Sequence, residues 1–407
     1  MKILLTLAWR NIWRNKRRSL ITISSVLFAV ILSIVFYSME KGSYERMIDS
    51  MVKYSTGYIQ VQDVLFDDEP SMDNSLLFDD GMVDLMEGMS SKLYYVPRIQ
   101  SFALAAGETV TRGAMVVGID PNAEAKLNDI AENVVEGDFI KRGDEDVVIA
   151  EGLANILRVE IGDTLVLLGQ GFQGATAAGK YRIKGLVNMR VPEMNNNMVY
   201  MSLEAAQWFY LAEDRLTSLI VMPHNPNQTN AIAEELGSKL DPEWYAVYTW
   251  EYLLSDLLKL MKFDMAGTMV MMLILYCVVG FGIFGTILTM IIERQREFGM
   301  LISLGMKRAQ LAAACFFESV FLSFTGAIAG MLAAFPLILY FYQNPVELTG
   351  EMAVTMEDYG FEAIMPFAMD SYVFLNQAIV VLIISLVVGL YPVYKIFKLD
   401  VMKVKQR

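Results

Sequence analysis

Histidine and cysteine are almost missing from this 407-residue chain, which has one histidine and two cysteines. The histidine, His224, sits in Met222-Pro223-His224-Asn225-Pro226-Asn227, a turn-forming stretch. Without a second histidine, zinc sites and Ser-His or Cys-His chemistry lack their usual parts. Cys277 and Cys315 both fall in long apolar runs, where a small apolar packing role is the ordinary expectation. No structural disulfide can therefore form in the polar part of the chain. Basic residues are scarce over positions 40–265, where 18 Lys and Arg face 36 Asp and Glu, a formal charge of −18. That acidity argues against nucleic acid as a partner.

Apolar sequence is abundant, at 55% of residues. Four runs are long enough to cross about 30 Å of hydrocarbon as helices: Leu20 to Tyr37, Ala266 to Ile292, Leu311 to Tyr342 and Tyr372 to Tyr394. Their spacing is one plus three. The sequence predicts a membrane protein of four transmembrane α-helices with a large α+β extracytoplasmic domain between helices one and two. The expected organisation is an interfacial amphipathic helix over 1–19 and a first span over 20–39. The outer domain with its stalks covers 40–265. A permease-type unit covers 266–407, with spans at 266–292, 311–342 and 372–394 and a link at 293–310.

Charge sorting orients the chain. Residues 1–19 carry six basic residues and no acid, the 293–310 link has four against two acids, and the tail after Tyr394 has five against Asp400. The 343–372 link has six acids and no Lys or Arg. The positive-inside rule then places both termini and the 293–310 link in the cytoplasm and the large domain outside. Residues 1–19 place Leu5, Ala8, Trp9, Ile12 and Trp13 at helical spacing, as an interfacial helix would. The first run lacks a small-x-small cleavage site and is expected to stay as an anchor.

Between the spans, strand-like and helix-like segments alternate, as in an α+β domain. Strands are expected over Gly57–Gln62, Ala114–Ile119, Asp146–Ala150, Thr164–Leu168, Tyr181–Val187, Met198–Met201 and Ser218–Met222. Helices are expected over Glu151–Arg158, Leu203–Leu211 and Gln228–Leu240; Asp63–Ser91 is acidic, Met-rich and without a clear assignment. Gly174 to Tyr181 nearly fits the phosphate-binding pattern GxxxxGK[ST], but Tyr181 lacks the needed hydroxyl position and a strand follows instead of a helix. A glycine-rich hairpin is the better reading. Its tip, Gln170, Gly171, Phe172, Gln173 and Gly174, is expected to present Phe172 as a partner-binding aromatic or to be a plain surface loop.

Three features of the spans stand out. Gly326, Gly330 and Ala334 form a small-residue seam for close helix packing. Glu318 lies in the same span, with Arg294 or Arg296 as candidate partners. Met261, Met265, Met269 and Met272 share one face of the second span, a candidate surface for a lipid or lipidated substrate as well as ordinary packing.

Residues 293–305, Glu293-Arg294-Gln295-Arg296-Glu297-Phe298-Gly299-Met300-Leu301-Ile302-Ser303-Leu304-Gly305, resemble the segment between spans two and three of the FtsX/MacB-type permease superfamily. The opening Ala8-Trp9-Arg10-Asn11 through Arg18, the third span, and the stretches Gly118–Pro121, Gly137–Asp138, Ala150–Ala154 and Ile161–Thr164 are similar to that family too. The resemblance implies the membrane subunit of an ABC transporter in the bacterial inner membrane, with its large domain in the periplasm. It implies a dimer with a second permease copy or paralogue, and a separate cytoplasmic ABC ATPase dimer. No cofactor would be bound by this chain, and ATP and Mg²⁺ would serve the partner ATPase. Glu293, Arg294, Arg296, Glu297, Phe298, Gly299, Leu301, Leu304 and Gly305 would form the coupling segment against that ATPase. Within the superfamily the chain looks most like the lipoprotein-releasing (LolC/LolE-like) branch, whose hairpin engages a periplasmic lipoprotein carrier. Gln170 to Lys180 lack the flanking prolines of that hairpin. Efflux of a peptide, toxin or drug with a periplasmic adaptor, and regulation of a cell-wall hydrolase, stay open as alternatives.

Overall fold

The computed structural model describes residues 10, 12, 14, 16–189, 191–358 and 363–398. The amphipathic reading of residues 1–19 lies mostly outside these; Arg10 and Arg14 are exposed helical positions and Ile12 is buried. The described residues form two compact units. One gathers the chain up to Glu45 with Leu260–Glu347 and everything from Met365 onward; the other gathers Arg46–Lys259 with Leu348–Ile364.

The first unit contains four helices long and apolar enough to span a membrane: Lys16–Met51, Ser255–Glu293, Arg308–Gln343 and Ser371–Phe397. The third and fourth are in extensive contact with each other. The first lies along the third through the small-residue seam. A Cβ placed on Gly326 would sit 2.7 Å from the Val26 Cβ, and one on Gly330 would sit 2.8 Å from the Val30 Cβ. Ala334 is fully buried on the same seam. Lipid is as apolar as leucine, so close backbone approach rather than hydrophobic burial brings such helices together. The Tyr276 hydroxyl donates to Gln377 between the second and fourth helices.

The second unit is built on a ten-stranded mixed sheet. Its strands are β1 (Ile59–Asp63), β2 (Leu93–Ala106), β3 (Thr111–Ile119), β4 (Val134–Gly137), β5 (Val147–Ala150), β6 (Thr164–Gln170), β7 (Thr176–Val187), β8 (Met198–Ser202), β9 (Ser218–Pro223) and β10 (Tyr245–Thr249). The order is β10-β1-β9-β2-β3-β8-β5-β7-β4, with β6 pairing β2 and β7. Three of these strands were not expected from the sequence: β2, β4 and β10. The 14-residue β2 is the longest and pairs with β9, β3 and β6. Its alternation is broken by Pro97, which is matched only to Leu219 of β9; the β3 ladder begins at Arg98. A proline at the end of one ladder forfeits no hydrogen bond there, so β2 tolerates it.

Among the described residues, two large apolar cores and a smaller cluster of Val96, Leu127, Ile220 and Met222 lie on this sheet. The larger surrounds Ile99, Val116, Ile149, Leu165 and Tyr210. The other surrounds Ile59, Leu76, Leu93 and Leu219, and it explains the methionines of the acidic stretch: Met82, Met86 and Met89 are buried in it. Asp79 caps a helix over Asp80–Gly88 by accepting from the Met82 amide at 2.9 Å. Met82 and Met86, four residues apart, then face inward on one side of that helix.

Candidate functional site

The second membrane helix ends at Glu293, and a short helix, Gln295–Ser303, follows a break at Arg294. Apolar residues on this helix point two ways. Phe298 and Gly299 are buried, with Phe298 in the same apolar cluster as Ile287, Ile291, Leu311 and Cys315. Met300 and Leu304 are exposed at 65% and 79%, and Leu301 at 37%. Phe298 therefore pins the helix to the bundle, and Met300, Leu301 and Leu304 make an apolar ridge facing away from it. Exposed side chains of this size in a cluster mark a contact surface more often than isolated ones do. Gly305 ends the helix with φ of +98°, in the left-handed region that glycine adopts without steric cost. Glu293 and Arg296 are exposed.

The charges of this segment are used internally. Arg294 reaches Glu318 of the third helix through Nη1 at 3.1 Å and Glu297 through Nε at 3.1 Å. Glu297 also accepts from Arg14. Arg14, Glu297, Arg294 and Glu318 thus form a chain of ion pairs from the N-terminal segment, through the short helix, into the third membrane helix. Glu318 is buried, which a carboxylate tolerates only when paired. Burial works against charge on Arg294, but Glu318 and Glu297 outweigh it and the guanidinium titrates above its ordinary value. Burial likewise pushes Glu297 up, but the hydrogen bonds from Arg14 and Arg294 outweigh it and bring its carboxyl below its ordinary value. These charges line a 230 Å³ cavity together with Ser19, Thr22 and Glu293. Arg294 also stacks over the Phe298 ring, 5.3 Å from its centroid, which fixes the short helix further.

The third helix starts beside this segment. The Lys307 amide donates to the Gln310 side chain at 3.2 Å, and the Arg308 guanidinium donates to the Phe397 carbonyl at 2.6 Å, capping the end of the fourth helix. The sequence offered Arg294 and Arg296 equally as partners of Glu318, and geometry selects Arg294. It gave no sign that Arg14, more than 280 residues away, would join the network. The outward ridge was legible in principle: Met300 and Leu304 are four apart, on the side opposite Phe298.

The remaining candidates fall elsewhere. The hairpin exists as β6 and β7, joined through Gly171–Ala175. Its tip does not present Phe172. That ring is half-buried beneath the Arg215 guanidinium, 4.2 Å from its centroid, and the Phe172 amide donates to the Tyr210 carbonyl at 2.8 Å. Gln173 donates its amide to Asp73, and Gly171 is buried; Gln170, Gln173 and Gly174 are exposed. The tip is tied down because its polar backbone and its one aromatic ring both find partners on the domain itself. Met261 and Met272 are buried, while Met265 and Met269 are 38% and 74% exposed. The methionine face therefore straddles the edge of a packed surface instead of lying wholly open. Cys315 is buried and Cys277 exposed.

Comparison with known proteins fits this architecture. The MacB-like periplasmic core domain model matches residues 19–239, and the FtsX-like permease C-terminal model matches residues 269–401. The lipoprotein-releasing system transmembrane protein LolC of Neisseria meningitidis serogroup B is 22% identical over 75% of this chain and 76% of its own length. LolC of Xylella fastidiosa is 22% identical over 74% of each chain. An uncharacterized ABC transporter permease of Methanocaldococcus jannaschii, MJ1507, is 20% identical over 81% of this chain and 82% of its own. Among solved structures, the extracellular domain of the ABC-type transporter YknZ from Gram-positive bacteria aligns with a TM-score of 0.35 and 12% identity, covering 47% of this chain and 99% of that domain. The periplasmic region of MacB from Actinobacillus actinomycetemcomitans aligns with a TM-score of 0.35 and 14% identity, covering 51% of this chain and 95% of that region. With one family model over more than half of the chain and a second over its last three spans, the protein belongs to the FtsX/MacB-type ABC transporter permeases, non-catalytic membrane subunits of the MacB/LolC type that work with an ATPase partner.

Proposed function

We propose that this permease turns ATP hydrolysis by a separate ATPase into work on lipoproteins at the outer face of the inner membrane, releasing them towards a carrier. The single observation that carries the cargo assignment is the similarity, over three quarters of both chains, to proteins named for lipoprotein release. The coupling surface is the exposed ridge of Met300, Leu301 and Leu304 on the short helix. The Arg14–Glu297–Arg294–Glu318 chain behind it makes that helix and the third span move as one piece, because a buried ion pair is costly to break. Helices one and two bracket the outer domain, so displacement at one end has a direct path to the other. Glu297 and Arg294 hold the lever internally, and the apolar ridge does the docking.

Reconstitution of the permease with its cognate ATPase in lipoprotein-loaded proteoliposomes tests the reading. ATP-dependent release of the lipoprotein into the soluble fraction is the expected result. ATP hydrolysis without release would remove the cargo assignment and keep the permease. A second reading, efflux of a peptide, toxin or drug with an adaptor, is favoured by the tied-down hairpin tip, which offers no projecting aromatic for a carrier.

A further inference from the structure

The two ends of the ten-stranded sheet are finished differently. At one end β4 has four residues, carries Glu136, and shifts register against β7 between Val134 and Glu136. A short, charged, irregular strand is an ordinary protection of a sheet edge against further pairing. At the other end β10 reads Tyr245-Ala246-Val247-Tyr248-Thr249, with no charge, proline, glycine or register shift. All but Ala246 are β-branched or aromatic, which suits a strand. None of the five is buried, whereas β9, two strands in, is buried throughout. Among the described residues no strand pairs with the outer side of β10.

The register sets which backbone groups that side offers. Residues opposite each other in an antiparallel ladder alternate between bonded and non-bonded pairs. Trp250 donates its amide to the Tyr58 carbonyl at 3.0 Å, and the Trp244 carbonyl accepts from the Val64 amide at 3.3 Å. Ile59 matches Thr249 and Asp63 matches Tyr245, so Trp244, Ala246, Tyr248 and Trp250 turn their backbone groups towards β1. Tyr245, Val247 and Thr249 turn theirs outward. The Tyr245 amide is taken by the Asp241 carbonyl at 3.0 Å. The Tyr245 C=O, the Val247 N–H and C=O, and the Thr249 N–H line the edge.

The surroundings of this edge are aromatic and acidic. Trp244 is 61% exposed, and Tyr252, 51% exposed, stacks on Tyr248 with 4.5 Å between ring centroids. Ala246, on the same strand face between Trp244 and Tyr248, leaves a gap between two large rings. Tyr252 donates to Asp67 at 2.9 Å. Burial first, then the fields of Asp67 and Asp68, raise the Tyr248 phenol above its ordinary value. Asp241, Glu243 and Glu251 flank the strand in sequence and are exposed. No Lys or Arg occurs over residues 54–91 or 240–258. Arg215, whose charge reaches Tyr245, is engaged by the Ser75 carbonyl and the Phe172 ring.

These charges decide what can pair there. A second copy would bring the same acids against themselves, and like charges facing across a strand pair are destabilising. A strand carrying Lys or Arg meets carboxylates on the rim and backbone partners along the edge, the mode in which an extended peptide adds to a sheet. We propose that β10 is a docking edge for another polypeptide, which joins the sheet as a strand through an extended segment bearing Lys or Arg.

The full-length protein in phosphatidylcholine nanodiscs is titrated with a fluorescent heptapeptide of alternating lysine and valine, read by anisotropy. Saturable binding is expected. The same peptide with glutamate for lysine should bind about tenfold more weakly, and so should a lysine peptide with N-methylated amides, which keeps its charge and loses its backbone donors. Val247→Pro removes an outward amide that the sheet does not use, as an edge strand tolerates, and should weaken lysine-peptide binding about tenfold. Asp68→Lys with Glu243→Lys, both at exposed positions, should make the glutamate peptide the tighter binder, a gain that misfolding cannot produce. Absence of saturable lysine-peptide binding up to about 1 mM overturns the proposal. Binding that N-methylation and Val247→Pro leave unchanged overturns it equally, as charge attraction without strand pairing. Disulfide formation between copies carrying Ala246→Cys, in a Cys277→Ala and Cys315→Ala background, would give the edge to a second copy and overturn it too.

Discussion

Replacing Gly326 with alanine should force the first and third membrane helices apart. The added Cβ would fall 2.7 Å from the Val26 Cβ and 2.9 Å from the Ile23 carbonyl oxygen. Carbon atoms rest about 3.5–4.0 Å apart, so relief requires a shift of about 1 Å at that point. Neither obstacle is the far end of a flexible side chain, so no rotamer change supplies it. Overpacking of this kind costs roughly 1–3 kcal/mol. Gly330→Ala meets the Val30 Cβ at 2.8 Å and the Leu27 carbonyl at 3.0 Å, one turn along the same seam. The two substitutions share one remedy, separation of the same helix pair. The double variant should therefore cost less than the sum of the singles, since neighbouring sites couple. Val26→Ala should not rescue Gly326→Ala, because the clash is with the Cβ that alanine keeps; Val26→Gly should rescue it in part. Gly267→Ala, where an added Cβ meets nothing within 4 Å, serves as the control. Unfolding in bicelles by graded SDS, followed by circular dichroism, reads these differences. Wild-type stability in Gly326→Ala, or full rescue by Val26→Ala, would refute close backbone contact as what holds this pair.

Changing Met300, Leu301 and Leu304 together to serine should abolish co-purification of the ATPase while leaving the bundle folded, since all three are exposed; retained co-purification would move the docking surface elsewhere. Arg98 and Glu124 form a pair at 3% and 1% side-chain exposure, and Arg98 also donates to the Tyr54 and Ser55 carbonyls. Arg98→Met should destabilise the sheet domain by about 3–5 kcal/mol, because it strands a buried carboxylate, and Arg98→Met with Glu124→Leu should recover much of the loss; hydrogen exchange of the β2 amides in the intact protein measures both. Glu297 titrates below its ordinary 4.5 in the folded protein. Its contribution is therefore fully present above that value and disappears as pH falls through the lower, folded one. Glu297→Gln should cost at most about 1 kcal/mol at neutral pH, given its half-exposed side chain. That difference from wild type should shrink as pH falls below 4.5 and through the lower, folded-state value, in SDS titrations at a series of pH values.

Much of this architecture was legible before any coordinates. The four spans follow from apolar length, which backbone hydrogen bonding in lipid makes unambiguous. Strands such as β5 and β9 were visible as short, bounded runs of β-branched residues. The long β2 was not, because Pro97 and a run of small residues, Ala103, Ala105 and Ala106, hide its alternation. The methionines of Asp63–Ser91 read as a puzzle in sequence because their spacing becomes an apolar face only once Asp79 has started a helix.

The sequence by itself determined what obeys local or one-dimensional rules: where the membrane lies, where the acidic domain hangs, and which segment links spans two and three. Tertiary structure alone decided which charges meet. Arg14 joins Glu297, and Phe172 lies under Arg215 rather than at the hairpin's tip. Tyr181 is buried with its ring edge-on against Phe209. Such pairings span tens to hundreds of residues and depend on where the packed backbone places each side chain, and no periodicity or charge count records that.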